Sequence, residues 1–456
     1  YTKFGMKKKS DVDPMIFKKF FPNTKYVRYR PRPWDFKPKV LTYFKRLPSR
    51  LSDPIYSEVF EKVRKMFCLP RPVPVYHIND SIRYFKHGGK SPGLPYTKFG
   101  MKKKSDVDPM IFKQYVHNVK YGIYRHCKTP CTAAARSVIS ESDKFRLIWV
   151  YPAHMTFAEG MFAQPLIKAF QEERGAYALW VQYAKGDAKL LCSELRGRNF
   201  LGLDWSSFDS NVPAWLIRDA FAILRENLDF TRYHEFGSPT HDTSLPRLWE
   251  HIIKYFIDTP IQLPTGEVLR KHQGVPSGSY FTNLIDSVVN ALVVHYLLAV
   301  LDIDICKFWC LGDDSLTVVS TSMVPLDVFA GIALDLFGFE LNTDKSDFGK
   351  QVNFLGYRLA NGRPLADYDK LLGQLLCPAD SDAHPTEFIT RARALQLSCF
   401  GLGCMQFTEE VQLFLEYIGA PTTAPVLHPR SEIRLKLENL GLGSWPPLEA
   451  VMLAVA

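Results

Sequence analysis

No apolar run in this chain is long enough to cross a bilayer: the longest, Ala291 to Leu301, is broken by His295, so no membrane span is expected. A cysteine framework is missing as well. Nine Cys, an odd number scattered over 456 residues, exclude a disulfide ladder and point to a reducing compartment. Cys127/Cys131, with His117 and His126 nearby, and Cys306/Cys310 are close pairs, but neither has a matching second pair, so zinc is not expected. Acid is scarce at the start: residues 1 to 50 hold three Asp against 15 Lys and Arg, whereas 377 to 456 hold nine acids against five bases. That imbalance, within a net charge of +10, excludes an acidic N-terminal surface and favours a polyanionic partner. Polar low-complexity sequence is absent too, and 46% apolar residues exclude disorder as the main state. The chain begins with Tyr1 and not Met, and no signal peptide is read, as expected of a fragment or a processed product.

What is present begins with an oddity. Residues 1 to 18, YTKFGMKKKSDVDPMIFK, recur identically at 96 to 113. Two perfect copies do not build a solenoid, so the first is discounted and the second is taken as meaningful. Residues 22 to 50, rich in Pro, Arg, Lys and aromatics, read as an extended arm or a phosphate-contacting strand and not as a core helix. Asp53 to Phe67 has helical spacing. Residues 86 to 104 form a Gly/Pro-rich, lysine-dense loop that would either cradle phosphate or be a solvated basic loop.

The chemistry gathers around Cys310-Leu-Gly-Asp-Asp-Ser315, where two β-prone segments flank a Gly-Asp-Asp turn. Adjacent carboxylates at a hairpin tip repel each other, so the pair calls for a counter-charge such as a divalent metal; the plain alternative is an ordinary acidic turn. A second acid site comes from NFLGLDWSSFD, a strand ending at Asp204 followed by Asp209 just ahead of a helix start at Asn211 and Pro213. Lys144 and Arg146 alternate with Phe145, Leu147 and Trp149, which predicts a strand with one cationic and one apolar face, and Arg136 lies close by in sequence. GVPSGSYFT opens a helix running to about Leu301, on which Thr282, Asp286 and Asn290 make one narrow polar stripe. Such a stripe must meet water, ligand or paired groups. Leu326 to Phe337 reads as a helix, Lys345 follows, Val352 to Leu359 reads as a second hairpin, and residues 370 to 456 as mainly helical. Together these pieces fit phosphoryl transfer. Asp204, Asp313 and Asp314 would supply oxygen ligands to Mg²⁺, the three cations would neutralise a triphosphate, and Lys345 would act as general acid.

The ordered blocks LGLDWSSFD, GVPSGSYFT, CLGDDSL and NTDKSDFGKQVNFLGY, preceded by KFRLIW, resemble motifs A, B, C, D to E and F of viral RNA-dependent RNA polymerases. The wording is most similar to the partitivirus and cryspovirus group, with picobirnaviruses next. The resemblance implies an α+β right hand of fingers, palm and thumb with an antiparallel palm sheet. It implies a basic arm and fingers extension over 1–85, fingers with motif F over 86–198, palm motif A over 199–212, fingers over 213–273, palm motifs B to E over 274–360, and a thumb and C-terminal region over 361–456. It implies two Mg²⁺ ions, with Mn²⁺ as a substitute, held by Asp204, Asp313 and Asp314. Arg136, Lys144 and Arg146 would hold the triphosphate; Asp209, Ser277, Gly278 and Thr282 would shape the ribose pocket; Phe354, Leu355, Gly356 and Tyr357 would grip the primer strand. Asp286 stands where many positive-strand RNA polymerases have Asn, so the ribose contact is expected through Ser277, Thr282 or Asn290. Implied partners are template and product RNA, NTPs and a viral capsid protein, with no membrane, in the virion interior and host cell cytoplasm. A non-enzymatic, genome-packaging RNA binder is the alternative reading.

Overall fold

A computed structural model describes residues 20–21, 24–378, 385–420 and 447–456. The first copy of the repeat lies outside the described residues. The arm expected over 22–50 is corrected by a short helix, Phe36–Leu41, followed by a turn at Thr42–Phe44. Phe36, Val40 and Tyr43, spaced four and three apart, are all buried. This helical stripe was masked by the Pro, Arg and Lys around it.

Helix α1 (Pro54–Met66) starts where Asp53 accepts the Tyr56 N–H at 2.9 Å, with Pro54 preset for the first turn. The 86–104 loop folds back on itself: Lys104 is buried and its Nζ donates to the Ser91 carbonyl at 2.6 Å, which removes that lysine from any phosphate cradle. Strands β1 (Cys131–Ser137) and β2 (Phe145–Val150) are antiparallel, and β2 buries Phe145, Leu147 and Trp149 while Lys144 and Arg146 stay exposed. Helix α2 (Ala153–Glu172) leads to β3 (Asn199–Leu203), α3 (Ala214–Arg225) and α4 (Ser244–Ile257). Short strands β4 (Pro260–Gln262) and β5 (Val268–Arg270) extend the first sheet to the order β5-β4-β1-β2.

Helix α5 (Thr282–Val300) is the spine of the molecule. By length and composition it is long enough to cross a membrane, longer than the run counted from sequence, yet 83% of its apolar 18-residue stretch is buried inside the protein. Leu284, Ile285, Val288, Val289, Leu292 and Val293 are buried to 1% or less, and each contributes about 1.5–3 kcal/mol, enough to carry the polar residues between them. The stripe therefore faces protein: Asp286 and Asn290 are buried with the rest.

Next come β6 (Ile305–Leu311), β7 (Asp314–Val319), α6 (Leu326–Phe337) and β8 (Asp347–Gly349). They form an antiparallel sheet in the order β6-β7-β3-β8, so β3 sits beside the Gly-Asp-Asp hairpin although it ends at Leu203 and the hairpin begins at Ile305. A small sheet of β9 (Val352–Phe354), β10 (Tyr357–Ala360) and β11 (Arg363–Leu365) follows. Helices α7 (Tyr368–Leu376), α8 (Pro385–Ser398) and α9 (Met405–Tyr417) pack on one another through Leu375, Phe388, Val411 and Phe414, and α10 (Leu448–Val455) ends the chain.

Candidate active site

Strand register places the acids. Leu311 pairs with Asp314, leaving Gly312-Asp313 as a two-residue loop with Gly312 in the left-handed region at φ +69°, and Leu203 pairs with Ser315. Asp204, one residue past the end of β3, is thereby carried to the same sheet edge as Asp313. Burial raises the Asp204 carboxyl above its usual range, Lys345 draws it down, Asp313 raises it and Lys144 draws it down. The four groups share one field. Backbone bonds hold the lysine turn there: the Asp204 N–H donates to Ser346 Oγ at 3.1 Å, and the Asp204 carbonyl accepts from the Asn342 N–H at 2.9 Å.

Among the described residues, the Asp204 and Asp313 carboxylates make no hydrogen bond or ion pair. Asp314 differs. Its Oδ2 accepts the Leu355 N–H at 2.6 Å, and burial pushes it up to about 7. One of the expected metal ligands thus also pins the β9–β10 turn. Among the described residues no three His, Cys, Asp or Glu side chains converge on one point. Two exposed, unpaired carboxylates nevertheless fit Mg²⁺, which favours one or two carboxylates completed by water and substrate phosphates over an all-protein cage.

The side expected to meet ribose is built by the loop ahead of α5. The Trp149 N–H donates to the Ser277 carbonyl at 2.9 Å, the Val275 N–H to the Asp209 carbonyl at 2.7 Å, and the Gly274 N–H to the Val212 carbonyl at 2.8 Å. Gly278 is required: a Cβ there would lie 2.1 Å from the Trp149 carbonyl oxygen. Ser277 Oγ donates to Asp209, whose carboxyl is pushed up to about 6 by burial, lowered by that bond, raised by Asp313 and lowered by Arg146. Arg136 lies directly opposite Arg146 on β1, both exposed. Like charges in that position repel, so the pair favours a bound anion. Thr282 points its hydroxyl back at the Pro276 carbonyl, 2.9 Å away, and shapes the loop. Asp286, 3% exposed, is held well above the usual range by burial and then by Asp209 and Asp313.

Two expectations are corrected. Asn290 is fully buried behind the turn, its Nδ2 donating to the Gly312 carbonyl at 3.1 Å, so it braces the turn and is not placed for a ribose contact. In the expected primer grip, Phe354 is buried in the core, and Tyr357 is wedged between Tyr183 and Phe400 with its hydroxyl on the Ser398 carbonyl. Period-two alternation in this hairpin sends those rings inward, and only Leu355 and Gly356 remain at the tip. Sequence reasoning missed Ser287, whose Oγ accepts the Gly312 N–H at 2.7 Å, and Tyr177, whose hydroxyl orients Asn283 at 2.6 Å. Ser287 lies off the expected stripe, and nothing local marks Tyr177.

Residues 49–417 match the family model described as viral RNA-dependent RNA polymerase. The RNA-directed RNA polymerase of White clover cryptic virus 1 is 29% identical over 331 residues, covering 65% of this chain and 51% of the relative. That of Cryptosporidium parvum virus 1 is 31% identical over 256 residues, covering 54% and 46%. The chain spans about half the length of these curated relatives. The crystal structure of a human picobirnavirus RNA-dependent RNA polymerase superposes with a TM-score of 0.64 at 14% identity, covering 96% of this chain and 84% of that one. The right-hand fold read from the motifs is therefore present, and the chain belongs to the viral RNA-dependent RNA polymerases.

Proposed function

We propose that this chain joins ribonucleotides on an RNA template by two-metal phosphoryl transfer, replicating and transcribing a viral double-stranded, segmented RNA genome. One observation carries the reading: the unpaired acids Asp204 and Asp313 share one sheet edge, Asp204 senses Lys144 and Asp209 senses Arg146, and the strand of Arg146 is tied to the Ser277 loop by the Trp149–Ser277 bond. Asp204 and Asp313 would hold Mg²⁺, or Mn²⁺ in its place, with Asp314 contributing where its bond to Leu355 allows. Bound ions would supply the activated attacking oxygen and charge neutralisation of the leaving group.

The chain's own residues do the rest. Arg136, Lys144 and Arg146 neutralise the triphosphate, and Lys345 Nζ, beside Asp204, gives its proton to the departing pyrophosphate oxygen. Ser277 and Asp209 meet the ribose 2′-hydroxyl. Partners on this reading are template and product RNA, NTPs and a capsid shell, with synthesis inside the particle and in the host cytoplasm. Purified protein supplied with RNA, NTPs and Mg²⁺ should make labelled product that disappears in Asp313→Ala. Salt-sensitive RNA binding with no incorporation under Mg²⁺ or Mn²⁺ would favour the packaging alternative.

A further inference from the structure

Helix α2 passes behind the loop that carries Ser277 and brings Glu159 to it, 1% exposed. A carboxyl at that depth needs partners, and both of its oxygens reach the loop. Oε1 accepts the Ser279 hydroxyl at 2.8 Å and Oε2 accepts the Tyr280 N–H at 2.9 Å. Gln164, on the same helix, donates to the Tyr280 hydroxyl at 3.1 Å and to the Ser81 carbonyl at 3.0 Å. Ser279 and Tyr280 directly follow Ser277 and Gly278. The front of the loop is set by its contacts to Asp209, Val212 and Trp149; its back is set from α2.

We infer that Glu159 is a positioning residue for ribose selection: by gripping Ser279 and Tyr280 from behind, it fixes where Ser277 meets Asp209. The inference rests on the polymerase reading above. The grip changes character with protonation. Burial pushes Glu159 up to about 8. Below that the neutral acid still accepts from Tyr280 but must donate to Ser279; above it both bonds are accepted by a carboxylate. The titratable groups that sense it are Tyr151, Cys131 and Tyr280, all raised by burial and uncharged across neutral pH.

The experiment is steady-state incorporation of NTPs and 2′-deoxy NTPs by wild type, Glu159→Gln and Glu159→Ala between pH 7 and 9, with melting curves. Glutamine presents one acceptor and one donor, as the neutral acid does, so E159Q should fold, accept from Tyr280, donate to Ser279 and match wild type at pH 7. Glu159→Ala removes both bonds: its NTP KM should rise about tenfold with a smaller change in kcat, and its preference for ribose should fall by a similar factor. Wild-type NTP KM should shift across pH 8, and E159Q should lack that shift. Unchanged KM and selectivity in Glu159→Ala would overturn the inference, as would a pH shift that E159Q retains, or equal losses for ribo- and deoxynucleotides that track a lowered melting temperature. If Glu159→Ala does not fold, the pH profile of E159Q alone decides. A wild type that incorporates nothing would instead defeat the polymerase reading.

Discussion

Replacing Gly278 by alanine tests whether the ribose loop depends on a backbone approach that only glycine allows. The residue sits at φ +148°, and an added Cβ would lie 2.1 Å from the Trp149 carbonyl oxygen, where real Cβ contacts stay beyond 3.0 Å. Loop and strand must therefore part by about 0.9 Å, the difference between those two distances. A shift of that size stretches the 2.9 Å Trp149–Ser277 bond to roughly 3.8 Å, past hydrogen-bonding range. Backbone strain of about 1–3 kcal/mol and a lost hydrogen bond of about 1 kcal/mol together cost about 2–4 kcal/mol. Expressed on the transition state, that is a loss in kcat/KM on the order of 10². Single-nucleotide incorporation measures it, with a melting curve as the control for folding. Wild-type kcat/KM in Gly278→Ala would refute the reasoning, because the loop would then reach its working shape without the close approach.

The two adjacent acids of the turn should separate on substitution. Asp313→Asn should lower incorporation on the order of 10³, whereas Asp314→Asn, whose amide oxygen can still accept the Leu355 N–H, should lose no more than about tenfold and melt near wild type; equal losses would return both acids to one role. His154, 5% exposed between the Tyr96 hydroxyl and the Cys127 thiol, gives a pH prediction: burial lowers it to about 3, so the unfolded chain takes up the proton first and the stability it supplies is lost as pH falls below about 6.5. Relative to His154→Gln, wild type should lose about 2 kcal/mol between pH 7.5 and pH 5, read from denaturant midpoints, and a constant gap would sink the argument.

Much of this site is legible in the sequence, because its parts are local. A strand ending in Asp204, a glycine turn ending in Asp313 and an alternating strand with Arg146 each declare themselves within a few residues. What could not be read is which polar groups face protein. Asn290 shares a helical stripe with Thr282 and Asp286, and periodicity assigns it a face but not a neighbour; the neighbour is the Gly312 carbonyl, set by a strand that begins fifteen residues later. Glu159 lies in a stretch whose helical pattern is dominated by apolar residues, so its role depends wholly on the loop in front of it. Phe354 and Tyr357 differ from expectation for the same reason: the sequence predicts a hairpin, and packing decides which side faces inward.

Helix α5 explains why the Ser277 loop and the Gly-Asp-Asp turn stay in register. Thr282 ties its first turn to the ribose loop, Asp286 faces Asp209, and Ser287 and Asn290 hold the N–H and carbonyl of Gly312. From Thr282 to Asn290 is eight residues, about 12 Å of helix at 1.5 Å per residue. That span is rigid because the flanking Leu, Ile and Val side chains are buried on every side. The buried polar groups would be costly on a loosely packed helix, since each broken bond leaves a buried donor or acceptor unsatisfied. Here the apolar faces offset that cost, and a displacement at the ribose loop cannot occur without moving the turn that carries Asp313. Positional coupling between the two halves of the site thus follows from one element buried all round, with no moving part required.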